Sequence, residues 1–241
     1  MPTHRCSPWG IWVPLLALLG CGTEPIGDSD PGSGGPRARS TPPSAIPLGP
    51  AVHLTIRSSD DLLPMPARVL FYPADPKQKL DFKSDGNLMS NLAAGVYGVP
   101  EGVMLPYGKG LVPVPAGSYR LRVIQGMEYE SVWVDVRVAR RQVVPVDVVL
   151  EHSVRLPEPG WMGSDQHIHS KVSSDSKIPV SHRVISEICS GVSVLVPTEH
   201  VFHNDMEPAI RDLGLQKYAV SIPSFGFERR GAPVAAFLRT D

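Results

Sequence analysis

The sequence predicts a multidomain β plus α/β protein, an antiparallel β-sandwich followed by about three βα units. Three observations carry that prediction. Runs between 52 and 150 alternate apolar and polar residues at a period of two; apolar spacing turns helical after about residue 180; and a run of apolar and small residues, 192–196, follows in the manner of a buried parallel strand. With 42% hydrophobic and 20% charged residues in 241, the chain can bury a core, which excludes wholesale disorder. Its 23 Lys+Arg against 24 Asp+Glu leave a net charge of -1, so no global field recruits nucleic acid and no nucleic-acid partner is expected.

Residues 1–20 read as a signal peptide. His4 and Arg5 precede an apolar run, 9–19, interrupted by Gly10 and Pro14 and shorter than the roughly 20 residues a membrane-spanning helix needs. Leu18, Leu19, Gly20 and Cys21 resemble the bacterial lipobox, whose cysteine is acylated and becomes the new N-terminus. The resemblance implies lipidation at Cys21, a membrane partner through the lipid anchor and, with Gly22 next, residence in the bacterial cell envelope at the outer membrane. Residues 21–50 then comprise the lipidated cysteine and a flexible tether rich in Gly, Pro and Ser. Cys6 and Cys21 fall in this leader, so Cys189 is expected to be a buried, small hydrophobe with no disulfide partner.

The sandwich is placed at 51–156. Val52, Leu54 and Ile56 alternate with His53, Thr55 and Arg57, and Tyr119, Leu121 and Val123 with Arg120 and Arg122. Val132, Val134, Val136 and Val138 continue the pattern, and after the polar corner Arg140, Arg141, Gln142 so do Val144, Val146, Val148 and Leu150. Residues 75–110 are expected to be long loops. The phrase Pro115, Ala116, Gly117, Ser118, Tyr119 and the following Gly126 to Glu130 segment resemble small carboxypeptidase-regulatory-like or transthyretin-like sandwiches. His53 and His152 are expected to be structural parts of this module.

From 157 to 241 the pattern is strand, helix, strand, helix, strand. A short strand is expected at 161–163, then a helix through Val184, Ile185, Ile188 and Cys189 with Ser176 or Ser181 as N-cap and Gly191 as its stop. The strand at 192–196 follows, then a helix over 204–213 started by Asn204 or Asp205, and a strand over 218–222. His182 is expected on a solvated helix face.

The residues that carry chemistry gather at the expected strand ends. Asp165, His167 and His169 alternate with Gln166 and Ile168, so in an extended segment they project to one side, and two imidazoles on one face are a metal-ligand arrangement. His200 follows the next parallel strand, Asp175 lies in the loop beyond the His pair, and Glu228 follows the third strand. Imidazole and carboxylate donors together suit divalent Zn, Mn or Fe, and a carboxylate can bridge two such ions. No GxSxG, P-loop or GxGxxG stands in a supporting context.

Ser164 to Ser170, then Ser174-Asp175, Gly191-Val192 and Leu195 to His200 resemble the opening of the polymerase and histidinol phosphatase (PHP) superfamily. The upstream sandwich, the Gly160-Trp161 junction and the lipoprotein leader are most similar to its carbaryl-hydrolase-like branch. The resemblance implies a distorted β/α barrel, of which 157–241 would be the N-terminal part, and hydrolysis of a small-molecule phosphoester or related ester by metal-activated water. It further implies that His167 and His169 hold one metal, His200 a second and Asp175 a third, that Glu228 bridges, and that Asp165 and Glu199 support the ligands by hydrogen bonds. Glu199 stands where the family has Asp, and an added methylene alters any hydrogen bond it makes. The family's later ligands have no counterpart after His203, so this chain reads as a truncated barrel with weak or no turnover. The reading from another class is a non-catalytic surface lipoprotein with a β-sandwich binding module and a vestigial metal domain.

Overall fold

The computed structural model describes residues 49–82, 90–154, 162–229 and 232–237; for 90, 91, 225–229 and 232–237 it describes the backbone alone. The signal peptide, Cys21, most of the tether, Trp161 and the expected boundary at 156/157 lie outside the described residues. No helix among the described residues is long and apolar enough to cross a membrane.

The chain is predominantly β. Among the described residues, nine strands precede the α/β part: β1 (Ala51–Ser58), β2 (Ala67–Pro73), β3 (Ser90–Ala93), β4 (Val96–Val99), β5 (Gly102–Leu105), β6 (Lys109–Pro113), β7 (Gly117–Ile124), β8 (Val132–Val138) and β9 (Val143–Leu150). They form a six-stranded sheet in the order β3-β4-β5-β2-β7-β8 and a three-stranded sheet in the order β6-β1-β9. The alternating runs place their apolar side chains in a shared core: Val52, Leu54 and Ile56 of β1 and Leu121 and Val123 of β7 are fully buried, with Val136, Val138, Val146, Val148 and Leu150 packed against them. At roughly 25 cal/mol per Å² of apolar surface removed from water, burial of this set is the main favourable contribution to the fold.

Two expectations for this part are corrected. The sandwich is not wholly antiparallel, because β1 and β9 run parallel in register from Ala51↔Val143 to Ser58↔Leu150. Among the described residues, the stretch 75–110 holds three short strands and the start of a fourth rather than long loops. All four residues of β5 are buried, which removes the alternation by which a half-exposed strand is recognised.

The α/β part comprises β10 (Ser164–Ile168), α1 (Val180–Cys189), β11 (Val194–Pro197), α2 (Glu207–Asp212) and β12 (Val220–Ser221). The three strands form a parallel sheet in the order β10-β11-β12. The first strand begins at Ser164, not 161, because the polar Asp165-Gln166-His167 segment is itself the strand. Neither Ser176 nor Ser181 caps α1: Pro179 takes the N-cap position with no side-chain hydrogen bond. Gly191 does end that helix, at φ 86°. The second helix is shorter than expected, and Asp205 accepts the Glu207 N–H at 2.9 Å beside its start. The tail forms an antiparallel hairpin, β13 (Ser224–Arg229) with β14 (Ala232–Phe237).

α1 is buried on two sides. Val184 and Ile188 pack with Ile168, Leu195, Met206 and Ile210 over the parallel sheet, while Ile185 and Cys189 pack on Val99 and Met104 of the sandwich. His182 is correspondingly half-buried against Tyr97, with ring centroids 5.8 Å apart, and burial lowers its pKa; it is not on a solvated face. Gln125 donates to the Ile188 carbonyl at 3.2 Å, Tyr107 to that of Leu213 at 2.9 Å, and Tyr218 to that of Pro64 at 3.1 Å. Gly126 and Gly191 meet back to back, both at positive φ; a Cβ on Gly191 would lie 2.6 Å from the Gly126 Cα.

Gly191→Ala is therefore expected to destabilise the protein by about 1–3 kcal/mol in urea denaturation, from the clash together with the positive φ; a loss within experimental error would show that this approach is not tight. Burial pushes the Cys189 thiol up to about 12, so it is neutral near physiological pH. Peptide mapping after iodoacetamide treatment should show Cys189 unmodified in the native protein and modified once denatured.

Candidate metal centre

The parallel sheet brings the C-terminal ends of β10 and β11 side by side, and the candidate residues stand there. A register shift between Asp165 and Ile168 marks a bulge in β10: these residues oppose Leu195 and Pro197, so that Gln166 and His167 stand against Val196 alone. The bulge interrupts the strict alternation on which the expectation of one polar face rested. Asp165 instead accepts the His167 backbone N–H at 2.9 Å and lies near Glu187 of α1, whose carboxyl is raised first by burial and then by the Asp165 charge. It does not contact an imidazole through a hydrogen bond among the described residues.

His169, Asp175 and His200 form one group, with candidate ligand atoms all within 4.8 Å of one another. The Asp175 carboxylate lies 2.9 and 3.1 Å from His169 Nδ1, and its Oδ2 is 3.3 Å from His200 Nε2. The rings of His169 and His200 meet edge to face with centroids 4.5 Å apart, and that of His167 stands 4.9 Å from His169. The hydrogen bond with His169 holds the Asp175 carboxyl down at about 2, so it is ionised throughout the ordinary pH range. A carboxylate only accepts, so His169 Nδ1 carries the proton and Nε2 presents a lone pair. That Nε2 is buried and has no hydrogen-bond partner in the structure. A buried imidazole lone pair whose other ring nitrogen is held by a carboxylate is the form in which histidine ligates a divalent cation, the carboxylate fixing the tautomer.

His169, Asp175 and His200 cluster together, with His167 adjacent. Glu228 lies in β13 opposite Pro233, and its side chain is outside the described residues. His203 is exposed. His152 belongs to the sandwich, where Nδ1 lies 2.6 Å from Asp60 Oδ2 and the ring stacks on Tyr129. A cleft of about 620 Å³ opens near the opposite, N-terminal ends of the parallel strands, by Gly163, Ser164 and Ser193, and none of His167, His169 and His200 lines it.

Several further residues position the cluster. Glu199 is fully buried, accepts the Ser170 N–H at 2.9 and 3.0 Å and the Asn204 side-chain amide at 2.8 Å, and also receives the Ser170 hydroxyl. The Ser173 hydroxyl accepts the His200 N–H at 3.0 Å, and Arg183 of α1 donates to the His169 carbonyl at 2.9 Å. Ser224 donates its hydroxyl to the Pro197 carbonyl and pairs with Asn204 as an isolated bridge, which brings the start of β13 to the end of β11. Val201, immediately after His200, takes φ 63°, a conformation a β-branched side chain adopts only under strain.

Glu199→Asp shortens the carboxylate so that it cannot serve Ser170 and Asn204 together, and is expected to cost about 1–3 kcal/mol in chemical denaturation; an unchanged midpoint would remove Glu199 from this role. Val201→Asn, which tolerates the left-handed region, should raise stability by about 0.5–1 kcal/mol by the same measurement.

No family model and no solved structure matches the chain. A stretch of 23 residues is 91% identical to part of the NADH-dependent phenylglyoxylate dehydrogenase subunit gamma of Aromatoleum evansii, covering 10% of this chain and 12% of that protein. A similarity of that extent carries no argument about fold or activity.

Proposed function

We propose that the chain is an exported, lipid-anchored metal-dependent hydrolase of the PHP type, in the carbaryl-hydrolase-like branch, acting on a small-molecule phosphoester or related ester. On this reading β10, α1, β11, α2 and β12 are the opening units of the distorted barrel. The observation that carries it is the buried, unpartnered His169 Nε2, aligned by Asp175 and accompanied by His200.

Through Nε2, His169 would hold an ion of Zn, Mn or Fe, with His167 and His200 beside it and Glu228 as a further carboxylate ligand, while Asp175 orients the ring from Nδ1. When bound, such an ion polarises a phosphoryl or carbonyl oxygen and acidifies water. The chain's own residues prepare that site. Asp175 retains the proton on His169 Nδ1, Arg183 fixes the His169 carbonyl, Ser173 fixes the His200 backbone, and buried Ile168 closes the inner side to solvent.

Metal analysis of the purified full chain should find Zn, Mn or Fe near stoichiometry, and His169→Ala and His200→Ala should each weaken binding by about tenfold or more while the circular dichroism spectrum is retained. Hydrolysis of bis-p-nitrophenyl phosphate should be slow and lost on chelation. A folded wild-type protein that takes up no metal would overturn the hydrolase reading in favour of a surface lipoprotein acting through its sandwich.

A further inference from the structure

The outer face of the six-stranded sheet is only partly covered by α1. Beyond the helix's C-terminal end a polar cleft of about 310 Å³ is lined by Arg68 of β2, Arg122 of β7, Tyr129, Ser131 and Ser190. The two arginines are diagonal neighbours on one face, since Arg68 pairs with Ile124 while Leu70 pairs with Arg122. The Nε of each is buried and has no hydrogen-bond partner among the described residues. Among the described residues neither guanidinium forms an ion pair: Arg57, Arg120, Arg183 and Arg211 hold the nearby-chain carboxylates Asp147, Asp135, Glu187 and Glu207. The carbonyls at the end of α1 do not serve them either, because Glu187 and Ile188 accept from Ser190, Gly191, Val192 and Gln125.

Two partly desolvated cations in one cleft repel each other and leave donors unmatched, a costly arrangement unless something negative completes it. Their surroundings favour a particular shape of anion. The planar guanidinium fork matches oxyanions in bidentate fashion, and the hydroxyls of Ser131 and Ser190 add donors at the wall. Trp133 holds Arg122 in place, with the guanidinium carbon 5.5 Å from the ring centroid, and the half-exposed Tyr72 ring lies 5.5 Å from Trp133. Arg120 also lies over Trp133, its guanidinium carbon 4.9 Å from the ring centroid, and is itself paired with Asp135.

We infer that the Arg68–Arg122 cleft is an oxyanion-binding site, recognising a phosphate group, and that it is distinct from the His169 cluster. The phosphate belongs either to a free solute or to a lipid headgroup, and the aromatic pair Trp133 and Tyr72 borders the site in either case.

The test is thermal unfolding of the full chain in inorganic phosphate against sodium chloride of equal ionic strength. A saturable rise of about 5–10 °C at a hundredfold excess over the midpoint is expected in phosphate and not in chloride. Arg68→Leu and Arg122→Leu should each abolish the rise and, since they remove repulsion, melt no lower than wild type without phosphate. Retention of the rise in the double variant, an equal rise in chloride, or no rise at all overturns the inference. If a leucine variant misfolds by circular dichroism, Arg68→Lys with Arg122→Lys keeps the charge without the fork and should weaken the midpoint about tenfold; an unaltered midpoint also overturns it. In a Cys21→Ala background, where no acyl chain contributes, arginine-dependent binding to phosphatidylglycerol over phosphatidylcholine vesicles assigns the phosphate to lipid, and a phosphate response without vesicle binding assigns it to a solute.

Discussion

A single buried carboxylate organises the candidate metal centre. Glu199 follows β11, yet its oxygens receive donors from Ser170, just past β10, and from Asn204, in the approach to α2. Two loops that would otherwise move separately, 169–179 and 198–206, are held to one acceptor. Hydrogen bonds to an ionised group inside a protein are stronger than neutral ones, and each donor left unmatched there would carry its full desolvation cost. His169 is the residue before Ser170 and His200 the residue after Glu199, so the network sets the separation of the two imidazoles through their backbones, without touching either ring. The strained Val201 sits directly beyond, where the same network overrides the local preference of a β-branched residue.

The sandwich contributes to that arrangement indirectly, through α1. The helix presents Val184 and Ile188 to the parallel sheet and Ile185 and Cys189 to β4 and β5, so both of its apolar stripes are consumed. Arg183, which holds the His169 carbonyl, projects from this doubly buried helix. The position of the site thus depends on packing well outside it. The glycine contact at Gly126 and Gly191 and the hydroxyls of Tyr107 and Tyr218 bring backbone from the two parts into direct contact.

Much of the fold was legible in the sequence where one face of an element is wet and the other dry. β1 and β7 announce themselves because His53 and Arg120 are exposed between fully buried neighbours. β5 does not, since burial on both sides erases the alternation, and the parallel pairing of β1 with β9 is a long-range choice that no local pattern encodes. β10 was misplaced because its polar side chains mimic a loop. For the site, strand-end reasoning located His169, Asp175 and His200 correctly in space, since parallel strands must place successive ends together. It could not foresee the bulge that interrupts the alternation between Asp165 and Ile168, nor the service of Ser170, Ser173 and Asn204, because loop amides find their acceptors only once the chain has folded.

The bulge in β10 has a wider meaning for how such a site can change over evolutionary time. Upstream of it, Ser164 and Asp165 keep strict register with Val194 and Leu195; downstream, the parity of the side chains is set anew. One inserted residue therefore acts as a rotary joint, letting the imidazole-bearing end be re-aimed by mutation while the dry interior beneath it stays as it was. A fold with that joint can trial new reactivity at its mouth without gambling its ability to fold.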